Sequence, residues 1–170
     1  MTGKQPTFQK DALLEFARSV FVAAGVEPAN AELWADILIW ANLRGVDSHG
    51  VLRIPEYIDH IDTGKLNPRP RLGIERSAGA AVSIDADRAP GPVAMKAAMD
   101  EAILRAREVQ VGWSVVRNNT HAGAIGYFAL HAARQGFAGM AMTASSPLMA
   151  HPGARVRAAS TNPIAIAVPG

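Results

Sequence analysis

The chain has no cysteine in 170 residues. That excludes disulfides, thiolate nucleophiles and cysteine-ligated metal or iron–sulfur sites, and it fits the cytoplasm. Charge of one sign is also lacking. The net charge is +2, with acidic and basic residues mixed along the chain. Neither a basic stripe for nucleic acid nor a basic amphipathic helix for a membrane surface is present. No apolar run is long enough for a membrane span. A signal peptide is not expected, because Lys4, Lys10 and Asp11 precede the first apolar run and Glu15 and Arg18 interrupt it. There is no GxGxxG, no GxxxxGK[ST] and no GxSxG, so the ordinary dinucleotide, P-loop and nucleophile-elbow fingerprints are absent. The histidines (His49, His60, His121, His131, His151) show no ligand spacing, and no metal site is expected. Internal repeats and low-complexity segments are missing as well.

What is present is an ordinary globular composition, 49% hydrophobic and 19% charged. It suffices for one core and a second, smaller one. The stretch Asn118–Tyr127 stands out. The apolar Val111–Val116 before it reads as a buried strand. The residues after it are apolar at helical spacing (Ile125, Phe128, Ala129, Ala132, Ala133) up to a C-capping Gly136. His121 is thereby placed where a strand hands over to a helix, with Thr120 as N-cap. A positive helix end disfavours imidazolium, so a histidine there stays neutral and able to accept a proton. Gly123 and Gly126 open one helix face to a backbone or a ligand. The same residues equally suit a histidine that only hydrogen-bonds and glycines that only pack.

In chain order, residues 1–7 read as a loose start. Phe8–Ala24 reads as an amphipathic helix with Leu13, Leu14, Phe16, Ala17, Val20 and Phe21 on its apolar side, closed by Gly25. Pro28 opens a broadly apolar second helix. Ser48 caps a third, from His49 to Asp62, with Val51, Ile54, Ile58 and Ile61 on one face. His49, Arg53, Glu56 and His60 share the other, and Tyr57 lies between. Arg71–Arg76 and Ala81–Asp85 read as strands of a hairpin around Ser77–Ala80. Val93–Val109 is an alanine-rich helix. Gly139–Ser145 and Ile164–Val168 are further strands, the last buried on both faces. Ser145-Ser146-Pro147 and Ser160-Thr161-Asn162-Pro163 put hydroxyls and an amide at strand boundaries, which suits phosphate or carboxamide binding and equally a plain turn. The chain stops while an α/β layer is still being built.

Three segments resemble a known family. Gly45-Val46-Asp47-Ser48-His49-Gly50-Val51-Leu52-Arg53-Ile54-Pro55-Glu56-Tyr57 resembles the G-x-x-SHG-x-x-R-x-x-x-Y signature of the non-Rossmann malate/L-lactate dehydrogenases. Asn119–Tyr127 and Thr161–Pro169 are similar to that family's second and third signatures. The resemblance runs from about Ala12 to Gly170. It implies an α/β fold: an amino-terminal helical segment plus part of a mixed sheet layered with helices, non-Rossmann and incomplete in this chain. It implies that residues 1–88 form the substrate side with dimer contacts. Residues 89–170 would be the first part of the nucleotide-binding domain. The implied activity is NAD- or NADP-dependent interconversion of a 2-hydroxy acid and its 2-oxo acid, or in some members reduction of a cyclic imine. The implied assembly is a homodimer.

Role by role, the resemblance makes His121 the general acid/base, with His49 beside it as a second catalytic candidate. Ser48, Arg53 and Tyr57 match the substrate pocket. Ser145 and the Thr161-Asn162-Pro163 turn match contacts to the nicotinamide nucleotide. Hydride transfer from a 2-hydroxy acid needs a base on the hydroxyl, a cation on the carboxylate and a held nicotinamide. His121 and an Arg53 fork supply the first two. The sequence departs from the family at Ala122, where an aromatic is usual, and at Ser160 and Ala154, where glycines are. Members are roughly double this length. The expectation is therefore an amino-terminal half, active within a longer enzyme, the alternative being an inactive fragment that serves at most in binding or dimerisation.

Overall fold

The computed structural model describes residues 7–76 and 79–170. The first residues of the expected loose start and the Ser77-Ala78 turn of the expected hairpin lie outside the described residues. The chain divides into two compact units. One comprises residues 1–75, 84–94 and 116–124, the other residues 76–83, 95–115 and 125–170.

The first unit is built on three helices, α1 (Lys10–Ala23), α2 (Pro28–Asn42) and α3 (Ile54–Asp62). Gly25 ends α1 with φ +89°, a conformation natural to glycine, and Pro28 opens α2 where a missing N–H is harmless. Their apolar faces meet in a core of Ala17, Phe21, Ala31, Trp34, Ala35, Leu38, Ile54, Tyr57 and Leu66. Phe21 stacks on Trp34 at 4.1 Å between ring centroids, and Trp34 lies 4.8 Å from Tyr57. Phe16, expected on the apolar side of α1, is exposed instead. Only one face of α1 packs on α2.

The third helix is shorter than its periodicity suggests. Asp47–His49 and Val51–Arg53 are separate 3₁₀ turns, and α3 begins only at Ile54. Gly50 between them is extended (φ −94°, ψ −154°), which interrupts the helical bonds. Pro55 then sits in the first turn of α3, where its missing N–H costs nothing. Ser48 accordingly caps nothing.

The strands are β1 (Gly73–Arg76), β2 (Ala81–Asp85) and β3 (Trp113–Arg117), in that order in one sheet. The Trp113 N–H donates to the Ala80 carbonyl and the Ala86 N–H to the Arg117 carbonyl. So β2 and β3 run in the same sense, joined through helix α4 (Gly91–Val109). In the second unit, α5 (Gly126–Ala133) precedes β4 (Gly139–Met142), which pairs antiparallel with β5 (Ile164–Ala167) in the register Met140 to Ile166 and Met142 to Ile164. The α/β class is as expected.

Two strands read as buried are not. Trp113 is 52% exposed, and Ile164 and Ile166 are 64% and 66% exposed. Their apolar runs alternate across the pleat, so only one face of each strand is covered. Thr120 does not cap α5, which starts six residues later with Ile125 as its cap residue. Its hydroxyl instead donates to the Ala89 carbonyl and accepts the Gly91 N–H, fastening the loop after β3 to the start of α4. Gly123 therefore precedes the helix rather than lining it. Among the described residues no helix is long and apolar enough to cross a membrane.

Candidate functional site

The first unit gathers five of the expected residues. Ser48, His49 and Arg53 come from the 3₁₀ turns, Tyr57 from α3 and His121 from the loop after β3. The turns are latched by Asn42, the last residue of α2. Its Nδ2 donates to Asp47 Oδ1 at 2.5 Å and its Oδ1 accepts the Val51 N–H at 2.9 Å. A Cβ on Gly50 would lie 2.2 Å from Asn42 Oδ1, so only glycine leaves the latch in place. Sequence reasoning missed Asn42. The only signal was an amide ending an otherwise apolar helix.

Within the turns, Ser48 Oγ and His49 Nδ1 are 3.0 Å apart. Arg53 Nε donates to the Ser48 carbonyl at 2.7 Å and Nη1 to Glu56 Oε2 at 2.5 Å. Glu56 was expected only as part of a polar stripe. It holds the guanidinium, whose three further N–H groups are left for a ligand, and the Arg53 bond keeps its carboxyl below the usual range.

His121 is reached from the other side. Its loop lies against Gly91, where a Cβ would stand 1.9 Å from the His121 carbonyl oxygen. Its Nδ1 is 2.8 Å from the Tyr57 hydroxyl, and its ring centroid is 5.4 Å from that of His49. Burial, aided by the Arg53 guanidinium and then His49, pulls the His121 pKa down to about 4. Burial and Arg53 lower His49 in the same direction. His121 was expected to be neutral because of a helix end. It is neutral because it is partly buried beside a cation. Burial pushes the Tyr57 phenol up, so that it stays protonated.

Tyr57, expected between two helix faces, is 1% exposed. What results is a patch with one permanent cation, two neutral imidazoles and a buried phenol. That set can bind an anion and exchange a proton with a neighbouring oxygen.

The second unit carries the other expected residues. Ser145 Oγ and Ser160 Oγ are 2.7 Å apart, and the Ser145 N–H donates to Ser160 Oγ at 3.3 Å. Ser160, one of the departures from the family pattern, thus ties two loops together. Asn162 adopts φ +39°, and Ser145, Thr161, Asn162 and Pro163 are all exposed. Hydroxyl, amide and turn backbone at a strand start fit the ribose, phosphate or carboxamide of a nucleotide.

The sequence model of malate/L-lactate dehydrogenase matches residues 8–170. The chain belongs to the malate/L-lactate dehydrogenase family. Among relatives of this family, the chain is 42% identical over 160 residues to a malate dehydrogenase of Pyrococcus abyssi, covering 94% of this chain and 44% of that protein. It is 34% identical over 161 residues to an NAD(+) ureidoglycolate dehydrogenase of Escherichia coli K12, with 95% and 46% covered. The malate dehydrogenase structure from Pyrococcus horikoshii superposes with a TM-score of 0.90 at 38% identity, over 99% of this chain and 50% of that one. The chain spans about half the length of the curated malate/L-lactate dehydrogenase relatives it matches.

Proposed function

We propose that this chain supplies the substrate side of an NAD- or NADP-dependent oxidoreductase that interconverts a 2-hydroxy acid and its 2-oxo acid. The observation that carries the reading is the meeting of His121 with Tyr57, His49 and Arg53, a base beside an anion clamp. The substrates named for the relatives, malate and ureidoglycolate, are both 2-hydroxy acids, in keeping with that chemistry.

In this reading residues 1–88 hold the substrate, while residues 89–170 bring His121 and the first nucleotide contacts. Arg53 binds the carboxylate through the guanidinium N–H groups not committed to Ser48 and Glu56. His49 and Ser48 hydrogen-bond the same acid. Nδ1 of His121 is occupied by Tyr57, so Nε2 takes the proton of the 2-hydroxyl as the C2–O bond becomes a carbonyl. In reduction Nε2 returns it. Ser145, Thr161 and Asn162, with Pro163 shaping their turn, hold the nucleotide. A nicotinamide held there would supply the hydride acceptor for C2 in oxidation and the hydride donor in reduction. The assembly in this reading is a homodimer.

The test is His121→Gln in the active enzyme. The expected result is a kcat lower by about 10²-fold or more with nucleotide binding retained. An unchanged kcat overturns the assignment.

A further inference from the structure

We propose that Tyr57 is a positioning residue for His121: its hydroxyl, hydrogen-bonded to Nδ1, fixes the plane of the imidazole so that Nε2 faces the substrate. This rests on the reading of His121 as the acid/base.

The argument starts from what Tyr57 cannot do. At 1% exposure it has almost no surface to offer an acid in the pocket. Its ring is gripped by Trp34, which is stacked on Phe21, in the core shared by α1, α2 and α3. Its oxygen is therefore a fixed point, and the group it meets is Nδ1 of His121 at 2.8 Å.

His121 needs such a point. It lies in the loop between β3 and α5, outside any helix or strand. The loop's backbone is held by the close approach of Gly91 and the bonds of Thr120. Those contacts fix where the Cα sits and leave the imidazole free to turn. The Tyr57 bond removes that freedom.

The partner's chemistry also matters. A carboxylate on Nδ1 would stabilise the imidazolium and raise its pKa. A protonated phenol is neutral. Its hydroxyl donates to an unprotonated Nδ1 and accepts from an Nδ1–H, so the same contact persists when Nε2 gains a proton and when it gives one up. Orientation is supplied without shifting the ring toward its charged form.

The experiment is ¹⁵N spectroscopy of the imidazole nitrogens on the 170-residue chain, with His121→Gln to assign the ring. The expected result is a neutral His121 held mainly in one tautomer. In Tyr57→Phe, which keeps the aromatic ring against Trp34, the two tautomers should mix while the Trp34 signals stay in place. A ring that already mixes its tautomers, or a tautomer ratio that Tyr57→Phe does not move, overturns the proposal. The wild-type spectrum decides even if the variant does not fold.

In the active enzyme, Tyr57→Phe should lower kcat by about 10- to 100-fold, with KM for the acid within about threefold. Added to His121→Gln it should cost nothing more, because it acts through that residue. A raised KM at unchanged kcat would make Tyr57 a substrate contact and overturn the proposal. If His121→Gln is damaging and Tyr57→Phe is not, only this inference fails. If neither is damaging, the acid/base reading fails with it.

Discussion

His49 and His121 stand 5.4 Å apart, and both are biased toward their neutral forms. For His121 burial sets that bias first, Arg53, His49 and His60 add to it, and Glu56 opposes it, with the neutral Tyr57 on Nδ1. The bias has a consequence for stability. His121 titrates near 4 when folded and near 6.5 when unfolded, so between those values the unfolded chain binds more protons. Stability is then complete above about pH 6.5 and falls as the pH drops toward 4, by roughly 3 kcal/mol for the full shift. Melting temperature against pH should show that slope, and His121→Gln should flatten it. Arg53 gives a second test. A lysine there cannot reach the Ser48 carbonyl and Glu56 while also forking a carboxylate. Arg53→Lys should cost about 2–4 kcal/mol in kcat/KM, largely through KM. An analogue lacking the carboxylate should be equally poor for both enzymes. Equal loss toward both substrates would make Arg53 a structural residue. The residue types of this patch were legible, because Ser48, His49, Arg53 and Tyr57 fall within ten positions. The partner of His121 was not, because the bond to Tyr57 spans 64 residues and local spacing carries no trace of it.

The element carrying most of the patch is the pair of 3₁₀ turns between α2 and α3. The sequence reads there as one continuous helix, since Val51, Ile54, Ile58 and Ile61 keep helical spacing through the break. Periodicity cannot reveal that Gly50 must be extended to pass the Asn42 amide, because the reason lies in another element. Gly50→Ala should push Asn42 aside, leave the Val51 N–H unpaired and destabilise by about 1–3 kcal/mol. Asn42→Leu removes the same acceptor and should cost a similar amount. Denaturant melts measure the first effect. A loss in kcat/KM larger than the lost stability explains would show that the turn's shape, and not merely its presence, serves binding. The strands teach a related lesson. Val111–Val116 and Ile164–Val168 have the composition of buried strands, yet Trp113, Ile164 and Ile166 face outward. Composition records that a strand carries apolar side chains, and says nothing about whether both faces are covered.

At the scale of the whole molecule, the second unit leaves Met140, Met142, Ile164 and Ile166 on one open face of the β4–β5 pair. Apolar surface on a short two-stranded sheet invites pairing with another chain. The 170-residue chain studied alone is expected to be dimeric or larger in sedimentation equilibrium, and a monomer across the micromolar range would contradict this. The α/β class and the order of elements were readable in advance, because caps, breakers and periodicity are local. The interleaving of the two units was not, because it depends on which distant segments meet. That interleaving bears on how the protein comes into being. The unit that carries Tyr57 and His121 is assembled from residues 1–75, 84–94 and 116–124. On the ribosome, α1, α2 and α3 emerge first and can begin to enclose Phe21 and Trp34. His121, 64 positions further along the chain than Tyr57, follows about 3–13 s later at ordinary synthesis rates. Through that interval the tyrosine hydroxyl has only water to bond, and the nascent helices must wait, half-finished, for the histidine that completes them.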